Sequence, residues 1–247
     1  MTMSDTCYMC SAKATGKEHA PPRCVFPAKK DFPPGVDYRK NLIRVPSCDA
    51  HNTAKCQDDE YLAFVLATHF ANNAVAARQI LTKVVRALSR RPSLTAFFQT
   101  QRPILLDGAE TLAYEIDNDR FERALSQMAR ALYFHHFSEK WLAPLAIHSP
   151  AVFQFDNPDA AGLQRSKENL ARMAFGFMSN QPRLGANPEV FWYQVYRDTS
   201  QEFLMVNMVF YEGVHMVVLS HPKLKREPNN TPEGICQPVD GLPKPSA

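Results

Sequence analysis

Two ligand pairs near the start of the chain, Cys7-x2-Cys10 and Cys48-x2-His51, constrain this sequence more than any other feature in it. A closed tetrahedral zinc site needs four soft or borderline donors, and two short-spaced pairs joined by a longer segment supply them with little chain. The pairs predict a small module folded around a structural zinc. Replacing one member by Cys24 or Cys56 gives an alternative ligand set with less regular spacing. Six cysteines also allow a disulfide framework. However, Met1-Thr2-Met3-Ser4-Asp5 lacks the basic-then-apolar layout of an export signal, so a reducing, cytoplasmic setting and metal binding are the expectation.

The chain has 247 residues, 45% of them apolar, enough for a sizeable core in one or two compact domains. It has no apolar run of about 18 residues, so no membrane partner is expected. Its net charge of +3 hides an uneven distribution. Residues 1–56 hold nine Lys/Arg against five Asp/Glu, and residues 61–106 hold six Lys/Arg and no acid. Residues 107–247 hold 13 basic and 17 acidic side chains. A polyanionic partner therefore suits the N-terminal half.

Four segments are expected: a zinc module at 1–57, a helical extension with a basic face at 58–102, an α+β domain at 103–221 and a Pro-rich tail at 222–247. Asp58-Asp59-Glu60 is an acidic helix start, and Leu62, Val65, Leu66 and Phe70 recur at helical spacing, which predicts a helix over 58–70. A second helix is predicted over 73–90. Ile80, Leu81, Val84, Val85 and Leu88 fall on its core side, and Arg78, Lys83, Arg86 and Arg90 on a side that is either solvated or tracks a nucleic-acid backbone.

Short strands are predicted at 104–106, 111–116 and 152–155. A helix capped by Asp119 carries Phe121, Leu125, Met128 and Leu132, and another covers 166–178. Three antiparallel strands follow, at 191–197, 202–211 and 214–220, the last two joined by a tight turn at Glu212-Gly213. The fold class is thus α+β, ending in an antiparallel meander.

Between the ligand pairs stand Glu18-His19-x-Pro21 and Asn41-Leu42, and Asn52-x2-Lys55 follows His51 directly. A neutral histidine titrates near working pH and can take a proton from water. The carboxylate of Glu18 and the amide oxygen of Asn52 are hard donors that suit Mg²⁺ or Mn²⁺.

The whole run over residues 7–55 resembles the HNH endonuclease family, with Glu where Asp usually precedes the histidine and Asn where the third motif letter is often His. The resemblance implies a ββα-metal fold at the N-terminus and metal-dependent hydrolysis of phosphodiester bonds in DNA, leaving a 5′-phosphate and a 3′-hydroxyl. It makes His19 the general base and Asn41 the residue that orients it. Asn52 becomes the third motif residue, on the helix, and Glu18 with Asn52 the ligands of the catalytic ion. Beside such a site Arg23, Arg44 and Lys55 are expected on the sugar-phosphate backbone, with Arg39 and Lys40 as further candidates. The alternative is a non-catalytic zinc-stabilised module that binds nucleic acid or a protein, with salt-dependent binding and no cleavage. His135-His136 with Glu139 is a weaker candidate metal group.

Overall fold

The computed structural model describes residues 5–52, 56–90, 100–106, 109–149 and 161–222. Strands β1 (Gly16–His19) and β2 (Arg44–Ser47) form an antiparallel pair, with Gly16 opposite Ser47 and His19 opposite Arg44. A 3-10 turn at Asp49–His51 follows, and then helix α1 (Cys56–Ala67).

Asp58 and Asp59 lie in the first turn of α1, but the helix ends before Phe70. The Asn72 side chain donates to the Leu66 and Ala67 carbonyls at 2.7 and 3.1 Å, taking acceptors that a further turn would have used. Phe70 is left 61% exposed. Every residue from Tyr61 to Ala67 is buried, so α1 is a central helix of the core and not an amphipathic surface helix.

The next helix starts as expected: the Asn73 side chain accepts the Val75 and Ala76 N–H groups. It runs as α2 (Ala74–Gln79), a π turn at Ile80–Val84, and α3 (Val85–Arg90). The wider turn shifts the helical phase away from the uniform projection. Val84 stays buried, but Leu81 and Val85 turn outward at 75% and 51% exposure.

The basic side of this helix is fastened to the metal module. Arg78 Nε donates to the Asp31 carbonyl at 2.6 Å, the Lys83 ammonium donates to the Cys24 carbonyl, and Arg86 grips the Asp31 carboxylate with bonds of 2.6 and 2.9 Å. These acceptors lie in or beside the 3-10 turns Arg23–Val25 and Lys29–Asp31, where carbonyls lack a ladder to pair with.

Strands β3 (Arg102–Leu106) and β4 (Ala109–Ala113) pair antiparallel, and β4 stops short of Ile116. Helix α4 (Asn118–Phe137) is capped by Asp117 and not Asp119, because the Asp117 carboxylate is the group that accepts the Arg120 N–H, at 3.1 Å. Phe121, Leu125, Met128 and Leu132 are buried, as their spacing requires.

Strand β5 (Ala146–His148) and helix α5 (Ala161–Phe177) come next; the strand expected at 152–155 lies outside the described residues. They are followed by β6 (Leu184–Asn187), β7 (Phe191–Asp198), β8 (Phe203–Phe210) and β9 (Val214–Ser220). The sheet is antiparallel in the order β5-β9-β8-β7-β6, so the expected meander forms its centre and two short strands form its edges.

Strand alternation sends Leu204, Val206, Met208 and Phe210 into the core shared with α1 and α4, while Met205 and Val217 meet Ala171 and Ala174 of α5. One core cluster runs from Cys7 through α1 and α4 to Val218, so the metal module and the sheet share an interior. Among the described residues no helix is long and apolar enough to cross a membrane. The tail from residue 223 lies outside the described residues.

Candidate metal centre and its surroundings

Cys7 Sγ, Cys10 Sγ, Cys48 Sγ and His51 Nδ1 lie within 4.8 Å of one another. His51 Nδ1 is 3.3 Å from Cys7, 3.6 Å from Cys10 and 3.2 Å from Cys48, and Cys10 to Cys48 is 3.8 Å. A tetrahedral zinc with bonds of about 2.3 Å to sulfur and about 2.0 Å to nitrogen has edges of about 3.8 Å between sulfurs and about 3.5 Å from sulfur to nitrogen. The four donors therefore fit a metal ion such as zinc.

Cys24 is not among them; its thiol donates to the Asp59 carbonyl at 3.2 Å. The Cys56 side chain lies outside the described residues. Cys7 and His51 are fully buried. Without a cation, burial pushes the Cys7 thiol up to about 11. A bound ion reverses that preference, because coordination favours the thiolate.

Both halves of the cluster are held by main chain. The Tyr8 N–H donates to the Pro46 carbonyl of β2 at 2.8 Å, and the His51 N–H closes its turn on the Cys48 carbonyl at 3.1 Å. A third support comes from far along the chain, where Lys140 Nζ donates to the Cys10 carbonyl at 2.7 Å and to Thr6 Oγ1 at 2.9 Å. Arg130, 1% exposed, shapes the segment after α4 by donating to the Trp141 and Ala143 carbonyls. The spacing of ligands carries no hint of Lys140. It is a cation beside a group that would carry net negative charge as three thiolates and one zinc.

Glu18 is 4% exposed, and by strand alternation it shares a face of β1 with Gly16. A Cβ on Gly16 would come 3.2 Å from Asn52 Nδ2, so Glu18 and Asn52 belong to the same side of the hairpin. Asn52 is not on a helix, contrary to the family pattern. It ends the 3-10 turn with φ −127 and ψ −73, before α1 begins, because the short turn that positions His51 closes there. Among the described residues Glu18 joins no group of three His, Cys, Asp or Glu side chains, so an ion beside it would rest on Glu18, Asn52, and oxygens of substrate or water.

His19 ends β1 directly across from Arg44. Burial lowers its pKa first, and the charges of Arg44 and Arg23 lower it further, so the neutral imidazole is favoured near neutral pH. Arg23 and Arg44 are both exposed.

Asn41 has a left-handed backbone, φ 52, and lies at the same end of the hairpin, where the Ala20 N–H donates to the Ile43 carbonyl at 3.2 Å. The exposed Asn41 side chain and the His19 ring make no hydrogen bond to a described residue, so no hydrogen bond joins the two. Arg39 donates to the Phe26 carbonyl at 3.0 and 3.2 Å, and Lys40 is exposed. Lys55 lies outside the described residues. His135 and His136 point to solvent, and Glu139 accepts from Arg197 at 2.6 Å and from the Tyr133 hydroxyl at 3.2 Å, so these three form no metal group.

Comparison with family models, with curated proteins and with solved structures finds no match to this chain. What the fold and the cluster define is a mixed α and β protein with a C-terminal antiparallel sheet and an N-terminal Cys3His group that can hold a metal ion.

Proposed function

We propose that this chain is a metal-dependent HNH-type endonuclease acting on DNA, with a zinc-stapled ββα-metal module at its N-terminus. One observation carries the reading: the four donors flank an antiparallel strand pair that α1 follows in the chain, and His19 ends the first strand under the charges of Arg44 and Arg23. A phosphodiester needs positive charge near its oxygens and a base near the attacking water, and both occur at that strand end.

In this reading Arg23 and Arg44 bind the phosphate, with Lys55 as a further backbone contact. His19 in its neutral form accepts the proton of the attacking water. Glu18 and Asn52, on one side of the hairpin, hold a divalent ion. Mg²⁺ or Mn²⁺ bound there would supply charge stabilisation to the departing oxygen. Asn41 acts from the adjoining loop.

The low exposure of Glu18 favours a second reading, a non-catalytic zinc-stabilised module that binds nucleic acid or a protein through the same scaffold. Incubation of supercoiled plasmid with the full chain and Mg²⁺ or Mn²⁺ separates the two. The endonuclease nicks the plasmid, and His19→Ala, with unchanged zinc content, loses at least about 100-fold in rate, the scale of one general base. Nicking by H19A at the wild-type rate overturns the base assignment. Salt-dependent binding without cleavage under any divalent ion establishes the second reading.

A further inference from the structure

The loop that carries Asn41 is held from the C-terminal sheet. Asn187, the last residue of β6, donates from Nδ2 to the Lys40 carbonyl at 3.0 Å. Two residues on, Glu189 Oε2 accepts the Tyr38 hydroxyl at 2.8 Å. Burial and the Glu189 carboxylate raise Tyr38 to about 12, so the hydroxyl keeps its proton at working pH.

The far side of the loop is tied to the hairpin through Arg39 on the Phe26 carbonyl and Ala20 on the Ile43 carbonyl. Glu189 is itself fixed, because its carbonyl accepts from Asn73 Nδ2 at 2.8 Å and the neighbouring Val190 carbonyl accepts the Tyr211 N–H at 3.0 Å.

The edge strand is shaped to make these contacts. Gly185 has φ +128, and a Cβ there would stand 2.8 Å from the Phe191 carbonyl. The β6–β7 register shifts between Leu184 and Asn187, an irregularity in the stretch of the edge that lies beside Asn41, Leu42 and Ile43. A shallow depression lies between Pro21, Asn41 and Leu42 on one side and Gly185 and Asn187 on the other.

A non-glycine residue held left-handed stores strain that neighbouring contacts must offset. The Asn41 side chain makes no hydrogen bond to a described residue, so its place is set by the bonds that hold Tyr38, Arg39, Lys40 and Ile43 on either side. Two of those tethers belong to residues about 150 positions away in the chain.

The geometry points to Asn187 and Glu189 as positioning residues: the C-terminal sheet holds the 38–41 loop against the His19 end of β1, so the endonuclease site is completed by the other half of the molecule. This rests on the endonuclease reading above. A reaction that depends on placement within a fraction of an ångström loses rate when a supporting shell is loosened, even if the fold and substrate binding persist.

The test uses the full zinc-loaded chain with Asn187→Ala, Glu189→Ala and Glu189→Gln. Plasmid nicking is read as kcat and KM separately, and amide hydrogen exchange is read by peptide. N187A and E189A are expected to lower kcat about tenfold or more with KM changed less than about threefold. Exchange should speed in the segment holding residues 38–43 and stay unchanged in β7–β9. E189Q, whose amide oxygen still accepts from Tyr38, is expected to restore most of kcat. A wild type that cuts, beside alanine variants that cut equally well, overturns the positioning role. If the wild type cuts nothing, the endonuclease reading fails; faster exchange confined to 38–43 in the variants then still supports the tether, and unchanged exchange overturns it.

Discussion

Asp31 shows how one side chain joins two parts of the molecule. Its carboxylate is 6% exposed and takes both guanidinium nitrogens of Arg86, while its carbonyl takes Arg78. The hydrogen bonds from Arg86 hold its pKa below the ordinary 3.8 against the opposing effect of burial. A lowered carboxylate stabilises the fold fully above the unfolded value, and that contribution is lost as pH falls through the folded one. Asp31→Asn is therefore expected to cost about 1–2 kcal/mol at neutral pH, allowing for the partial exposure of Arg86. Urea unfolding of both proteins should show the difference near pH 7 and a shrinking gap as pH drops below about 3.8. A gap independent of pH would mean that the ion pair is not its source. The cationic face of this helix was readable from spacing. That it would be spent on the Asp31 carboxylate and on the carbonyls of Cys24 and Asp31 was not, because those acceptors sit in irregular turns that no periodicity places.

The β8–β9 hairpin makes the same point for an element. The sequence places a tight turn at Glu212-Gly213, and the turn is there, but the left-handed residues are Tyr211 and Glu212, with φ 49 and 63. Gly213 is needed for another reason: a Cβ on it would overlap the Ala71 carbonyl in the loop between α1 and α2. Tyr211 is fully buried, donates to the Val25 carbonyl and accepts from Gln79 Nε2 at 3.0 Å, so one hydroxyl joins the hairpin, α2 and the metal module. Tyr211→Phe removes two hydrogen bonds, although Gln79 Nε2 still donates to the Val25 carbonyl at 3.1 Å, and should lower stability by about 1 kcal/mol. Gly213→Ala forces the loop away and should cost about 1–3 kcal/mol. Both appear as lower urea midpoints with unchanged slope. A neutral G213A would show that the 69–73 loop gives way freely. Period-2 alternation made β7, β8 and β9 legible, whereas Ala146–His148 and Leu184–Asn187 are three- and four-residue edges recruited only because the meander offers them a partner.

At the level of the whole molecule, the cluster and the sheet stabilise one another. Cys7 and Cys48 belong to the same core as α1, α4 and the inner face of the sheet, and Lys140 ties the segment after α4 to the Cys10 carbonyl. Purified protein is expected to carry one zinc per chain by elemental analysis, and Cys10→Ser to lose it. Exhaustive chelation should lower the melting temperature by at least about 10 °C, since structural zinc contributes folding free energy directly. Metal-free protein with an unshifted melt would remove the cluster from any account of this fold.

Ligand spacing, helical and strand periods, and the uneven charge are properties of short stretches, and they were enough to indicate the four donors, most of the helices and the meander. The helix that ends at Ala67 and the outward turn of Leu81 depend on what packs alongside. So do Lys140 on Cys10, Glu189 on Tyr38 and Tyr211 on Val25, pairs 130, 151 and 186 residues apart. A local pattern reflects the backbone geometry of its own segment, whereas a hydrogen bond across such a distance exists only after the core has closed and a buried polar group must find a partner within reach.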